Sequence, residues 1–460
     1  MRSVHHSQSL NASRKQQHGA ATLVVVMLLF FVVSLAAAYA SRNLIFEQRT
    51  SANQYRYTQG FEAAEAGLEW ATAMLNAGRI DDTCQPSTDP SQLTFRQRYL
   101  SIETADSTKL GNVVPVVQSA PGADGDTSQW VGCVFNGASW DCSCPQDADL
   151  ALAAPPPPGI FPAFSVRFRR VSDSELSEPT APGVVRIEVN GCSEVTPDCL
   201  SPKRGITFPY DRCATTMCAM LALHGAAKAA PVAAMTVRGN VSGGMTVANP
   251  VVEFDGKRVD GVTIRAGGVI STAGMNLIGA AGTPGDLTII GDDPTLKSPA
   301  LPDDTDECRF CLFAAATGLW PAAYRDQPAT IRLTCPAECS PSSIATTAEL
   351  NPGRVLWLRG PFSFSGSADI GSASAPVFLY ADGDVNLNST GTAKIHGVVY
   401  TKGNLTLTSG GGVRGSIYVT GNVAGSGGNV EVAYDPNVLR LLRLQSGSFV
   451  KVPGSWRDFP

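Results

Sequence analysis

The strongest constraint on this chain is a run of 22 residues without a charge, from Ala20 to Ser41. At a rise of 1.5 Å per helical residue, the run covers roughly 30 Å, the thickness of a bilayer core. Arg2, Arg14 and Lys15 precede it, and positive charges hold the adjoining end of a membrane helix in the cytoplasm. We therefore expect a single-pass anchor with a cytoplasmic N-terminus and the remaining chain beyond the membrane.

The segment behind the run distinguishes an anchor from a cleaved secretory signal. A signal peptide has a shorter apolar region of about 7–15 residues and a small-residue cleavage site, for which Ala36–Ala38 is the candidate. However, residues 41–76 contain no proline, and apolar residues recur there at helical spacing, opposite a row of glutamates. We therefore predict one helix over residues 20–78, with a transmembrane part at 20–41 and an amphipathic part at 42–76.

Three motifs in this region occur in a fixed order: Gly19 to Val26, Glu47 to Gln54, and Ala63 to Glu69. Together with the basic leader that ends in glycine, they resemble the N-terminal domain of PilX-type minor pilins, a family of type IV pilus assembly proteins. The resemblance extends over residues 1–75. The residues that carry the family motif are Glu47, Asn53, Ala64, Glu65 and Gly67.

The resemblance implies a maturation step and an assembly role. Residues 1–19 would be a leader that prepilin peptidase removes by cutting between Gly19 and Ala20, and Ala20 would then be N-methylated. The anchor would stay in the inner membrane, with the C-terminal domain in the periplasm, until assembly carries the subunit to the pilus and the cell surface. The implied partners are other minor and major pilins, prepilin peptidase, the inner-membrane assembly platform and a tip adhesin. The residues expected to pack in the pilus core are Leu23, Val24, Val26, Leu28 and Phe31.

Val24 departs from the pattern of this family. Most major pilins have a glutamate as the fifth residue of the mature chain, where this chain has Val24. A buried carboxylate needs a partner, and in the family that partner is the N-terminal amine of a neighbouring subunit. A subunit without the carboxylate can occupy the tip, where no subunit lies ahead. The alternative is that apolar packing suffices without the pair.

Composition favours β structure beyond the helix. The chain has 45 glycines and 31 prolines, only 7% aromatic residues, and a net charge of −5 with 16% charged residues. Turn-rich β structure is typical of this mixture, and a broad basic face for nucleic acid is not expected. We predict an α+β fold with a pilin-like head at 79–230, in which Ala163–Arg170 and Val184–Val189 alternate as antiparallel strands packed on the helix. Residues 79–158 are interpreted as irregular, with a stiff connector at Pro155–Pro158.

Residues 231–437 contain a repeat. Trp357, Tyr380, Tyr400 and Tyr418 each precede a glycine by three residues, and Val237 to Val241 is a weaker copy of the same pattern. The spacing predicts coils of a parallel β-solenoid with the tyrosines in a ladder, while an antiparallel sandwich is the alternative. Residues 438–460 are expected to be a cap and tail, with the amphipathic segment at 438–444 covering an open end.

The cysteines allow two interpretations. Cys308-x2-Cys311 followed by Cys335-x3-Cys339 has the spacing of a zinc site, but outside the inner membrane disulfides are favoured. Cys142 and Cys144 form a further close-set pair, and the connectivity stays open. The disulfide candidates are Cys192, Cys199, Cys213, Cys218, Cys308, Cys311, Cys335 and Cys339.

No pattern in the sequence points to catalysis or to a cofactor. Zinc-helix, nucleophile-elbow and nucleotide motifs are missing, and His224 and His396 are the histidines that follow the leader. The segments at 382–388 and 302–307 are weak calcium candidates. We expect a non-enzymatic minor pilin that primes assembly, with no metal or cofactor. The alternatives are a tip-displayed adhesin, a type II secretion pseudopilin and, without an acid–base pair, a polymer-degrading enzyme.

Overall fold

The computed structural model describes residues 18–102, 113–117, 129–153, 155, 161–171, 183–195, 217–228, 231–254, 257–297, 308, 311–389 and 391–457. It divides into two compact units, Met1–Thr58 and Gln59–Pro460. The first helix, α1 (His18–Leu75), begins in the first unit and ends in the second. The prediction of one unbroken helix through the apolar and amphipathic segments is therefore confirmed.

Seven helices and 24 strands are described. After α1 the chain forms α2 (Phe95–Tyr99), β1 (Leu100–Ile102), β2 (Val113–Pro115), β3 (Val131–Phe135), β4 (Trp140–Ser143), β5 (Ala163–Arg170), β6 (Val184–Cys192), β7 (Met217–Gly225), β8 (Met235–Val237), β9 (Val241–Ala248), β10 (Glu253–Phe254), β11 (Lys257–Arg258), β12 (Ile264–Ala266), β13 (Asn276–Ile278), β14 (Ile289–Ile290) and α3 (Pro294–Lys297). There follow α4 (Leu312–Thr317), α5 (Pro321–Arg325), β15 (Thr330–Thr334), α6 (Pro341–Leu350), β16 (Val355–Arg359), β17 (Phe362–Phe364), β18 (Val377–Ala381), β19 (Val385–Leu387), β20 (Lys394–Thr401), β21 (Leu405–Leu407), β22 (Gly412–Val419), β23 (Val423–Ala433), α7 (Pro436–Leu444) and β24 (Gly447–Lys451).

The head is a six-stranded antiparallel sheet in the order β24, β7, β6, β5, β3, β4. The predicted strands pair in register, with Val166 opposite Val189. The buried residues Phe164, Val166 and Val189 form one core with Ala64 and Leu68 of α1, so the prediction of a sheet packed on the helix is confirmed. The segment interpreted as irregular, residues 79–158, contains α2 and four short strands. These strands were not predicted because their alternation of apolar and polar residues is too short to be distinguished in the sequence.

The repeat region is a parallel β-solenoid with three walls. Wall A consists of β15, β16, β18, the second halves of β20 and β22, β8, β12 and β14. Wall B consists of β17, β19, β21 and the first halves of β23 and β9. Wall C consists of the first halves of β20 and β22, the second halves of β23 and β9, and β13. Since all these pairs are parallel, the predicted solenoid is confirmed and the antiparallel sandwich is excluded.

The corner between walls C and A is made by glycine. Gly397 and Gly415 have φ values of 148° and 139°, a backbone region that favours glycine. A Cβ on Gly415 would lie 1.9 Å from the carbonyl oxygen of Gly397 in the coil below. Glycine therefore lets β20 and β22 bend from one wall into the next while the coils stay stacked.

The chain does not build the coils in sequence order. It enters at β8 and β9 in the middle of the stack and builds outward to β14 at one end. Helix α3 lies beside β12 at that end. The helices α4 and α5 precede β15 at the opposite end, and the coils then return until β22 pairs with β8. In this pairing Val419 lies opposite Val237. The weaker copy of the repeat is therefore a true coil, which joins the two parts of the stack.

The C-terminal segment does not cap the solenoid, so that prediction is wrong. Helix α7 packs against β20, β22 and β7, in the middle of the stack, because its apolar face with Leu439 and Leu442 extends the core beside wall A. Strand β24 then completes the head sheet by pairing with β7, with Phe449 opposite Leu223. Residues 447–451 are thus part of the head, although they follow the repeat in sequence. Residues 156–158 of the predicted connector lie outside the described residues.

Candidate functional site

The first half of α1 is an apolar surface open to solvent. Residues 21–58 are all exposed, and the large apolar side chains among them are more than half exposed, including Phe31 at 63%. In the part of the chain that is described, α1 is the helix that is long and apolar enough to cross a bilayer. The predicted packing residues Leu23, Val24, Val26, Leu28 and Phe31 all lie on it. Such a surface is stable only in lipid or against other apolar helices.

Val24 lies inside a continuous aliphatic patch. Its neighbours Leu23 and Val25 and the residue one turn on, Leu28, are also exposed aliphatic side chains. A carboxylate at this position would have to be desolvated whenever the helix is buried. The helix as it stands can enter lipid or a helix bundle without that cost.

The family motif on α1 forms a close helix-to-sheet contact. Ala64 is buried and Glu65 is exposed, so the motif places its small residues towards the head sheet and its glutamate towards solvent. A Cβ on Gly67 would lie 2.7 Å from Val189 and 2.8 Å from the Phe164 ring. Glu47 and Asn53 are exposed on the part of α1 before the head. The motif therefore combines a tight structural contact with a polar outer face.

Arg96 is a buried arginine that connects three parts of the second unit. Its Nε donates to the carbonyl oxygen of Leu75 at 2.8 Å, at the end of α1. Nη1 donates to Gly353 at 3.3 Å and Gln445 at 3.1 Å, and Nη2 donates to Gly447 at 3.0 Å. Burial, together with the smaller effect of the charge of Arg354, lowers the pKa of Arg96 to about 9, so Arg96 stays protonated at neutral pH.

Asn76 reinforces the same connection. Its side-chain amide donates to the carbonyl oxygen of Phe449 at 2.9 Å, and its Oδ1 accepts from the Phe449 amide at 2.9 Å. The side chain therefore pairs with β24 as a neighbouring strand would. Together with Arg96, it fixes the end of α1 to the C-terminal strand. No sequence motif marks either residue, since the bonds to Gly353 and Phe449 join them to backbone groups more than 250 residues away.

The described disulfides lie in the head and at the β15 end of the solenoid. Cys84 pairs with Cys144 and Cys133 pairs with Cys142, so the close-set Cys142 and Cys144 are not bonded to each other. The reason is geometric: Cys133 and Cys142 are opposite each other on β3 and β4, with Cα atoms 4.0 Å apart. Cys192 and Cys218 each take part in a disulfide. Cys199 and Cys213 lie outside the described residues.

The second cysteine cluster corrects one prediction. Cys335 and Cys339 form a disulfide, which also excludes a four-thiolate zinc site with Cys308 and Cys311. Those two residues are thiols and not a disulfide, so the prediction that they are disulfide-bonded is wrong. Cys311 Sγ instead donates to the carbonyl oxygen of Cys308 at 3.2 Å, and both side chains are buried in the solenoid core.

The aromatic ladder of the solenoid is present as predicted. Tyr380 and Tyr400 stack with ring centroids 5.5 Å apart, and Tyr400 and Tyr418 with centroids 6.0 Å apart. Trp357 extends the ladder, 3.7 Å from Tyr380. Phe313 of α4 contacts Trp357, Tyr380 and Tyr400 edge-on, which is a favourable geometry for aromatic rings. Helix α4 therefore covers the ladder at these three rings. At Tyr418, the next ring of the ladder, burial raises the pKa of the hydroxyl group.

A second ladder explains the residue after each repeat glycine. Oδ1 of Asp384 accepts from the amide of Asn404 at 2.7 Å, and Oδ1 of Asn404 accepts from the amide of Asn422 at 2.9 Å. Oδ1 of Asn422 accepts from the amide of Asn240, and Oδ1 of Asn240 accepts from the amide of Val269, at 2.9 Å each. Each side chain thus binds the turn of the next coil. The calcium candidate at 382–388 is part of this ladder, and Asp382 forms an ion pair with Lys402 at 3.3 Å.

Neither histidine after α1 lies in a group with catalytic geometry. His396 Nε2 is 3.3 Å from Asp369 Oδ2 on wall C, and His224 lies on β7, where burial lowers its pKa. Within the described residues there is no group of three or more His, Cys, Asp or Glu that could hold a metal ion. The calcium candidate at 302–307 lies outside the described residues.

One comparison with known proteins, the match to a family model, supports the N-terminal assignment. The PilX N-terminal family model matches residues 18–69, so the predicted resemblance is confirmed over that segment. Among curated proteins, no match is found. A similar solved structure is the competence-associated pilin ComZ from Thermus thermophilus, with 12% sequence identity and a TM-score of 0.24. The alignment covers 88% of this chain and 97% of that chain.

Proposed function

We propose, on the premise that this chain is a PilX-type minor pilin by virtue of its segment at residues 18–69, that it primes type IV pilus assembly from the pilus tip. The observation that supports a position at the tip is Val24, which stands where most major pilins carry a glutamate. Without that carboxylate the subunit makes no pair with the N-terminal amine of a subunit ahead. Its exposed aliphatic surface still provides lateral packing for the subunits that follow.

Assembly is driven by burial of α1. Its apolar half leaves lipid for a bundle of similar helices, where packing replaces contact with acyl chains. Prepilin peptidase acts first, between Gly19 and Ala20, and Ala20 is then methylated. The inner-membrane assembly platform and the other pilins are the partners in this step, and the solenoid is displayed outside.

We expect this subunit at pilus tips, in few copies, with fewer pili per cell when it is deleted. A primer sets how often assembly starts and not how far it proceeds, so the length of the remaining pili should be unchanged. Immunogold labelling of the wild type, pilus counts and length distributions in the deletion strain measure these effects. In a Val24→Glu variant the label should spread along the shaft, while the matched aliphatic change Val24→Leu should leave it at tips.

Two results would contradict this proposal. Label along the whole shaft in the wild type would remove the tip position. Shorter pili at unchanged number in the deletion strain would indicate a shaft subunit. The adhesin alternative predicts normal pilus number and length with loss of adhesion alone. The solenoid walls favour this second candidate as an added role of the same subunit, because one wall remains open.

A further inference from the structure

The three walls of the solenoid differ in what they present. Wall A is covered, because Phe313 of α4 contacts its ring ladder and α7 packs against β20 and β22. Wall C carries charges, with Lys394 paired to Glu431 and Arg414 exposed. Wall B contacts helix α6 at its first strand, β17, and the outward residues of its other strands, β19, β21, β23 and β9, are exposed or half-exposed. It is therefore the wall available for an intermolecular contact.

Wall B presents two columns of mostly hydroxyl and amide side chains, interrupted at Ala424 in one column and at Gly244 in the other. Its inward residues, such as Leu387 and Leu405, are completely buried, and its outward residues stand in two columns along the coils. In both columns the members are exposed or half-exposed. The first column is Ser363, Asn386, Thr406, Ala424 and Ser242. The second column is Ser365, Asn388, Thr408, Ser426 and Gly244.

The chemistry of these columns excludes several classes of partner. They contain no charge, so they offer nothing to phosphates or acidic polymers, whose binding depends on Lys and Arg. They contain no aromatic or arginine side chain, the residues that dominate protein–protein interfaces. They have no large aliphatic side chain for lipid. What remains is a set of hydroxyl and amide groups that both donate and accept.

The spacing is set by the coils. Neighbouring strands lie about 4.8 Å apart, and alternate residues along a strand lie roughly 6.6 Å apart. The first column therefore spans roughly 19 Å over its five coils. The two columns are also fixed, because Thr408 Oγ1 donates to Asn386 Oδ1 at 2.9 Å across coils. Several weak hydrogen bonds at fixed positions favour a long, stiff ligand with repeated hydroxyl groups.

We infer that wall B binds an uncharged polysaccharide, laid along the columns and held by hydroxyl-to-hydroxyl and hydroxyl-to-amide hydrogen bonds. This inference rests on the proposed function only for its biological setting, which is display of the solenoid on a pilus. Polysaccharide binding is measured on the purified chain. The binding inference can therefore be wrong while the tip position is correct, and it can be correct even if the subunit lies in the shaft.

The test uses the detergent-solubilised mature chain, co-sedimented with microcrystalline cellulose or with chitin. We expect depletion of the chain by at least one of them, with an affinity that changes less than about twofold between low and high salt, since no charges are engaged. The double variant Thr406→Lys with Ser242→Lys should weaken binding by about tenfold or more, equivalent to about 1.4 kcal/mol. Thr406→Val, which keeps the shape and the strand propensity, should weaken it in the same direction.

The matched control is Asn276→Lys with Ile278→Lys, which adds the same two charges at exposed positions of wall C, and its binding should equal that of the wild type. Circular dichroism verifies that each variant is folded. The inference is overturned if neither polysaccharide depletes the wild type, or if the wall B variants bind as well as the control. Preferential, strongly salt-dependent binding to alginate or DNA would also overturn it, because that result requires a basic surface.

Discussion

Replacing Arg96 with methionine should lower the free energy of unfolding of the second unit by about 3 kcal/mol. The aliphatic volume of the side chain is kept, but the carbonyl oxygens of Leu75, Gln445 and Gly447 lose the arginine donor, while that of Gly353 keeps the Gly447 amide. Each buried carbonyl without a partner costs about 1 kcal/mol or more. Removing a buried charge offsets part of that loss. Urea unfolding followed by tryptophan fluorescence measures the difference.

The control for Arg96 is Arg258→Met, at a side chain that is 77% exposed. Its effect should stay within about 0.5 kcal/mol, as for other surface substitutions. Hydrogen exchange adds a local readout, because Arg96→Met should increase exchange first at residues 445–449 and at the end of α1. Uniform faster exchange, without preference for these segments, would show that Arg96 is not the connection between them.

Replacing Cys84 and Cys144 together with serine should destabilise the head by about 4 kcal/mol. The two cysteines are 60 residues apart in sequence, and the entropy lost by the unfolded chain on closing a loop grows with its length. The disulfide also holds the segment after α1 against the β4 end of the sheet. The matched pair is Cys335→Ser with Cys339→Ser, whose separation is 4 residues.

Replacing Cys335 and Cys339 with serine should lower the free energy of unfolding by only about 2 kcal/mol, from the same dependence on loop length. Denaturant unfolding of both double variants under non-reducing conditions provides the comparison. Equal losses, or a larger loss for the short loop, would contradict the loop-length argument. Dithiothreitol should bring the wild type to or below the stability of the Cys84/Cys144 variant.

The helix and the ladder of aromatic rings could be predicted because their signals are local or periodic. The apolar run and the alternation of apolar residues with Glu62, Glu65 and Glu69 lie in a single helix. The ring ladder follows from one aromatic residue at the same place in successive coils. Periodicity thus predicts which residues stack when the coils are adjacent in sequence.

The order of the coils could not be predicted, because the turns use interchangeable residues. Asn240, Asn404 and Asn422 carry the same ladder bond, so the sequence does not state which coil follows which in space. The pairing of β24 with β7 could not be predicted either, because β24 consists of five residues of ordinary strand composition. The connection through Arg96 depends on backbone carbonyls, and backbone groups leave no trace in sequence.

The disulfides show the same limit. Spacing grouped Cys142 with Cys144, whereas the sheet places Cys142 opposite Cys133 and leaves Cys144 near Cys84. Proximity in sequence indicates a pair only where the chain reverses directly, as between Cys335 and Cys339. Elsewhere the partner is decided by the strand register.

Intact-mass measurement of the membrane-bound chain, with and without prepilin peptidase, tests whether this protein matures as a pilin. We expect the peptidase to remove residues 1–19 and the product to carry one additional methyl group, on Ala20. Without the peptidase, the full precursor should persist. A mature chain that keeps the leader, or one cut near Ala38, would contradict the assignment of this protein as a pilin.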